Sequence, residues 1–236
     1  MSPLGASRWI ALAIIAQAPM LSVAHAEPAL AVEARAALVD AAFVIRDKPG
    51  ALGRLDRARL QAEAVLADQP ANLDAKLQRA IAIGYRGKLN RSPGDAKTAR
   101  RMMEEVAAAA PASADANVAL AGWHLEAILD AGSFIARTVL GARKADGVAA
   151  IERAVTHGGG RPLYSGYGAI LLTRIGDTAR AVELARMAVR TPARDALDRL
   201  MKVNAEALLA AYGSGDPKLP LAVATRLSPF GRIATR

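Results

Sequence analysis

The stretch Leu172-Thr173-Arg174-Ile175-Gly176-Asp177-Thr178-Ala179-Arg180-Ala181, followed by Ala185 and Ala188, decides the reading of this chain. An apolar run ends at Gly-Asp, and a second run then opens with small residues at offsets 0, 4 and 7. Offsets of 4 and 7 are near-whole helical turns, so Ala181, Ala185 and Ala188 share one helix face. A small residue at offset 0 lets a neighbouring backbone approach closely. The stretch therefore predicts two helices folded back on each other across a tight turn.

The same offsets recur upstream. Ala58, Ala62 and Val65 repeat them before Pro70; Ala99, Met103 and Val106 before Pro111; Gly147, Ile151 and Ala154 before Gly159. After Ala181, Ala185 and Ala188 the corresponding stop, Pro192, falls one residue early. Proline stops a helix by its missing donor, glycine by easy access to a left-handed cap. Each repeat helix is preceded by an apolar partner, over Ala31–Arg46, Asn72–Arg86, Ser113–Leu129 and Pro162–Arg174. From Leu30 to Tyr212 the chain is rich in Ala, Leu, Arg and Glu, which are strong helix formers, and apolar residues recur at three and four. The stops Pro70, Pro111 and Gly159 lie 41 and 48 residues apart, with the extra length placed at 87–94 and 130–142.

These offsets resemble the second helix of a tetratricopeptide repeat, a helical hairpin of roughly 34 residues. The resemblance spans about 160 residues, best in the hairpin around Gly176-Asp177, with Ser165 and Asn117 standing where the family has bulky first-helix residues. It implies an all-α fold, a right-handed superhelical stack of antiparallel hairpins, and protein or peptide binding on a concave face lined by first helices. The expected repeat domain is 27–212, closed by a helix over Asp195–Tyr212. The stretch 213–236, with Gly-Ser-Gly-Asp-Pro, a second proline and scattered arginines, is expected to be an extended or disordered basic tail in which Ala224 is exposed.

Residues 1–26 read as a cleaved signal peptide. Arg8 gives a positive start, Trp9–Ala16 an apolar run too short to span a bilayer, and Pro19 a break. Ala24-His25-Ala26 is a small-x-small site that places cleavage between Ala26 and Glu27, with Ser22-Val23-Ala24 a second site. The expected location is exported: periplasmic if the source is a Gram-negative bacterium, otherwise secreted.

Composition bounds the chemistry. The 236 residues contain no cysteine and three histidines, which removes disulfides and thiolate chemistry and argues against a multi-histidine zinc site. No nucleophile elbow, phosphate loop or zinc-protease motif occurs, and Gly158-Gly159-Gly160 follows a helix pattern and reads as a stop. No catalytic residue, cofactor or metal is expected. The net charge of +9, from 31 basic and 22 acidic residues, is spread along the chain. It suits an acidic partner or peripheral contact with an anionic membrane surface, not nucleic acid.

The candidate partner-binding residues are Trp123, His124, Tyr164 and Tyr167. Trp123 follows the signal's own tryptophan as the second of two, and reads either as core or as a groove wall beside 130–142. His124 and Glu126 lie about 200° apart on a helix and cannot grip one ion together. Tyr164 and Tyr167, three apart on a first helix, read equally as concave-face contacts or as packing between repeats. The leading functional reading is a protein- or peptide-binding scaffold in the cell envelope. The alternatives are a small-ligand-binding or transporter-accessory module and an enzyme of unknown type.

Overall fold

A computed structural model describes residues 29–233, and no strand occurs among them. The helices are α1 (Ala29–Val39), α2 (Lys48–Asp68), α3 (Leu73–Asn90), α4 (Pro93–Ala109), α5 (Ala114–Ala131), α6 (Ser133–Ile135), α7 (Lys144–His157), α8 (Pro162–Arg174), α9 (Thr178–Arg190), α10 (Ala196–Tyr212) and α11 (Leu219–Leu227). Wider π-helical turns at Asp40–Val44 and Ala136–Leu140 follow α1 and α6. The described residues form an all-helical structure. The signal-peptide reading and its cleavage site fall outside the described residues.

Local chemistry fixes the helix starts. Asp47, Asn72, Ser92, Ser113, Asp177 and Asp195 each accept a hydrogen bond from the backbone N–H three residues on, satisfying a donor that has no partner inside the helix. Helix α7 ends where the glycine run begins, with Gly159 and Gly160 at φ of 59° and 75°.

Neighbours in the chain pack as pairs: α1 with α2, α3 with α4, α5 with α7, α8 with α9, and α10 with α11. All twelve positions of the repeated offset pattern, on α2, α4, α7 and α9, are buried. Gly147 shows why the first of them is small: a Cβ there would lie 2.7 Å from Leu125 Cγ on α5. Helix α8 is the centre of the core. It is buried from Pro162 to Thr173 and touches α5, α7, α9, α10 and α11. A helix apolar on every side has to be surrounded, and this one is.

Two expectations about segments are corrected. Residues 87–94 are not an inserted loop. Helix α3 continues to Asn90, turns at a left-handed Arg91, and α4 starts at Pro93. Gly87 is there because a Cβ would come within 2.9 Å of Asp95 Cβ and 3.1 Å of the Ala96 nitrogen. The 213–236 tail is not extended over its described part. Leu219–Leu227 is helical, Ala224 is fully buried, and Phe230 is 7% exposed. Pro220 misleads a sequence reading because it sits in the first helical turn, where its missing N–H is not needed.

Candidate functional site

Helices α3, α5 and α8 each carry polar residues on one face at helical spacing: Asp74, Gln78, Tyr85 and Lys88; Asp115 and Glu126; Tyr164, Tyr167 and Arg174. Packing joins these faces through two polar ladders. At the first-turn end, Arg35 of α1 pairs with Asp74 at 2.7 Å and with Asp115 at 3.4 Å. Gln78 Nε2 donates to Asp74 at 2.6 Å, and the Tyr164 hydroxyl donates to Asp115 at 3.0 Å. Carboxylates in first turns are also favoured by the helix dipole.

At the last-turn end, Glu126 lies between two cations. Lys88 Nζ is 2.8 Å from one carboxylate oxygen and the Arg174 guanidinium is 2.5 Å from the other. Lys88 also reaches Asp130, and Arg174 also donates to Ser228 Oγ at 3.1 Å. Burial pushes the Glu126 carboxyl up, but Lys88 and Arg174 outweigh it and hold it below the usual glutamate range. Burial lowers Lys88, and the two carboxylates overcome this and leave its ammonium above the ordinary lysine value. The cluster sets two cationic side chains, Lys88 and Arg174, against two carboxylates, Glu126 and Asp130.

Between the ladders sit Tyr85 and Tyr167. Burial, and then the negative charge of Glu126, raise the Tyr85 hydroxyl above its ordinary pKa. Tyr167 is raised by burial, by Tyr85 and by Glu126. Burial thus holds both hydroxyls in the protonated form. Tyr167 lies against Gly122 of α5, where a Cβ would be 2.9 Å from its hydroxyl oxygen. Only glycine at that position lets the ring sit between the two helices.

The C-terminal segment completes this face. After α11, which packs on α8 and α10, Ser228 meets Arg174 and Phe230 meets the edge of Tyr85, with ring centroids 5.0 Å apart at 85°. The Phe230 N–H then donates to the Ala42 carbonyl at 2.7 Å, in the turn that closes α1. One strap of chain therefore touches α8, α3 and the end of α1.

The four residues singled out by sequence divide between packing roles. Tyr164 and Tyr167 are buried in the main core and do not line an open groove. Trp123 is half-buried; its indole N–H donates to the Ala96 carbonyl of α4 at 2.9 Å and Arg100 lies over its ring. His124 is buried and accepts at Nδ1 from the Arg143 N–H at 3.3 Å. Burial lowers its pKa, which keeps the accepting nitrogen unprotonated. His124 and Glu126 do face different neighbours, as their angular separation requires.

Sequence reasoning missed Tyr85, Lys88, Arg174 and Phe230, and gave Glu126 no partner. The stripe Asp74, Gln78, Tyr85 and Lys88 is a visible signal, but its cross-helix partners lie too far along the chain to pair by inspection. It also missed Asp198, which is fully buried and accepts from Arg161 Nε and from the backbone nitrogens of Leu163 and Arg194. Asp198 thereby pins the start of α8 to α10.

Among the described residues no group of His, Asp and Glu could hold a metal ion, and no helix is long and apolar enough to cross a membrane. Comparison with protein-family models, curated proteins and solved structures gives no match.

Proposed function

We propose that this chain is an exported, tetratricopeptide-like solenoid, a right-handed superhelical stack of hairpins that holds a protein or peptide segment on the face formed by its first helices. The observation that carries this reading is the strap at residues 228–233. It lies across α8, α3 and the end of α1, and it is held by a main-chain hydrogen bond from Phe230 to Ala42, a ring contact to Tyr85 and a side-chain bond to Arg174. A surface that seats a segment of its own chain in this way has the shape, apolar purchase and polar handles that peptide recognition uses. The arrangement of α1/α2, α3/α4, α5/α7 and α8/α9 as successive pairs supports the solenoid reading. The buried, charge-balanced Glu126 cluster acts as a structural tie between the first helices. The binding role is one of complementarity without covalent chemistry.

The test is affinity capture from the cell envelope with the wild-type chain and with Phe230→Ala, read by quantitative mass spectrometry. A protein enriched more strongly by Phe230→Ala supports a face shared between strap and partner. Enrichment that ignores the substitution places the partner elsewhere.

A further inference from the structure

The segment between α5 and α7 carries a patch that the peptide-binding reading does not use. Phe134 is 72% exposed, the most exposed large apolar residue described, and Ile135 and Val139 are 51% and 43% exposed. Three of the ten exposed large apolar side chains thus fall within six residues, on the short helix α6 and its π-helical continuation. The segment is anchored from below. Ala136 and Ala142 are buried, the Ala142 N–H bonds the Ala136 carbonyl at 2.9 Å, and Arg100 of α4 holds the Leu140 carbonyl at 3.0 Å. The apolar side chains are therefore presented outward on a fixed base.

Charge surrounds the apolar tip. Arg137, Arg143 and Lys144 are exposed, and no acidic residue occurs from 131 to 145. Asp130 and Asp146 stand just outside the segment, and within it every exposed charge is basic. An apolar tip with basic neighbours fits two occupants in principle, a second copy of the chain or an anionic surface. A two-fold contact would bring the same patch against itself and set the basic rims against each other. An anionic bilayer accepts both parts at once: aromatic and aliphatic side chains enter the headgroup boundary while arginine and lysine meet lipid phosphates.

We propose that residues 133–144 form a docking tip for an anionic phospholipid surface, with Phe134, Ile135 and Val139 entering the interface and Arg137 and Arg143 supplying the electrostatic contact. Each basic residue near such a surface adds roughly fivefold to binding. The tip alone gives weak, reversible attachment, and it holds the helical body beside the membrane.

The experiment is cosedimentation of the purified protein with vesicles of phosphatidylcholine alone and of phosphatidylcholine mixed with phosphatidylglycerol. It is run at low and high salt, with analytical ultracentrifugation of the same samples without lipid. Phe134→Ser and the double variant Arg137→Gln/Arg143→Gln alter exposed side chains and leave the fold intact, which circular dichroism checks. The expected result is salt-sensitive binding to the anionic vesicles only, reduced about tenfold or more by either variant. Absence of binding by the wild type, or equal binding by all three proteins, overturns the proposal. A wild-type dimer that Phe134→Ser abolishes assigns the patch to self-association and overturns it too.

Discussion

Tyr85 and Phe230 stand edge to face, 5.0 Å between ring centroids, one on the third helix and the other near the C-terminus. This contact ties the segment that follows the last helix pair to the second pair, α3 and α4. It makes the strap a structural element of the domain, and Phe230 packs there with Ala41, Ala42, Leu55 and Ala82.

Phe230→Ala should therefore destabilise the protein. A fully buried phenylalanine truncated to alanine costs about 3–5 kcal/mol, and at the rim of the core the lower part of that range is expected. Thermal melting of the two proteins measures it. An unchanged melting temperature would mean that the strap does not pack in solution.

Glu126→Gln should leave Lys88 and Arg174 without their shared counter-charge. Breaking a buried ion pair by removing one partner costs about 3–5 kcal/mol. The pH dependence has a definite sign. A carboxyl whose folded pKa lies below its unfolded value stabilises the fold above about pH 4.3, and the contribution is lost as pH falls through the folded value. Lys88, raised in the fold, stabilises fully below about pH 10.4 and loses its contribution as pH rises through its folded value. Chemical denaturation across pH should show the acid-side loss in the wild type and a reduced slope in Glu126→Gln.

The core face of the repeat helices was legible in the sequence, and the cross-helix chemistry was not. Offsets of 4 and 7 mark a helix face whatever packs on it, so Ala58, Ala99, Gly147 and Ala181 could be assigned to contacts before any partner was known. The end of α3 and the tail were misread for a common reason. Gly87, Pro93 and Pro220 punctuate the sequence, yet Gly87 permits a close helix contact and both prolines stand in first turns, where proline is tolerated. Tyr164 and Tyr167 read from sequence either as groove contacts or as packing, and both side chains are buried. Lys88, Glu126 and Arg174 could not be joined because helical spacing relates residues within one helix only.

The tyrosines give a graded test of that packing. Tyr167→Ala should cost about 3–5 kcal/mol as a buried aromatic. Tyr164→Phe removes only the hydroxyl bond to Asp115 and should cost about 0.5–1.5 kcal/mol. Calorimetric melting of both variants, with Tyr167→Ala no less stable than Tyr164→Phe, would remove Tyr167 from the core.

Ala181→Leu should overpack the core face of α9 and cost about 1–3 kcal/mol, and Ala224→Leu should cost a similar amount because Ala224 is fully buried. Ala222→Leu, on the exposed side of α11, should stay within about 0.5 kcal/mol of the parent. Denaturant midpoints that rank Ala222→Leu with the other two would contradict the orientation of α11.

The central claim is that the first-helix face receives a partner's chain where the strap now lies. A photo-crosslinking residue placed at Leu89, which packs partly buried against the cluster that contains Phe230, tests it in cells that express the protein. A second probe at Arg186, exposed on α9, serves as the reference. The account predicts a crosslink from position 89 to a second protein, stronger when Phe230→Ala loosens the strap and absent from position 186. Crosslinks from position 89 that stay within the chain in both backgrounds would contradict it.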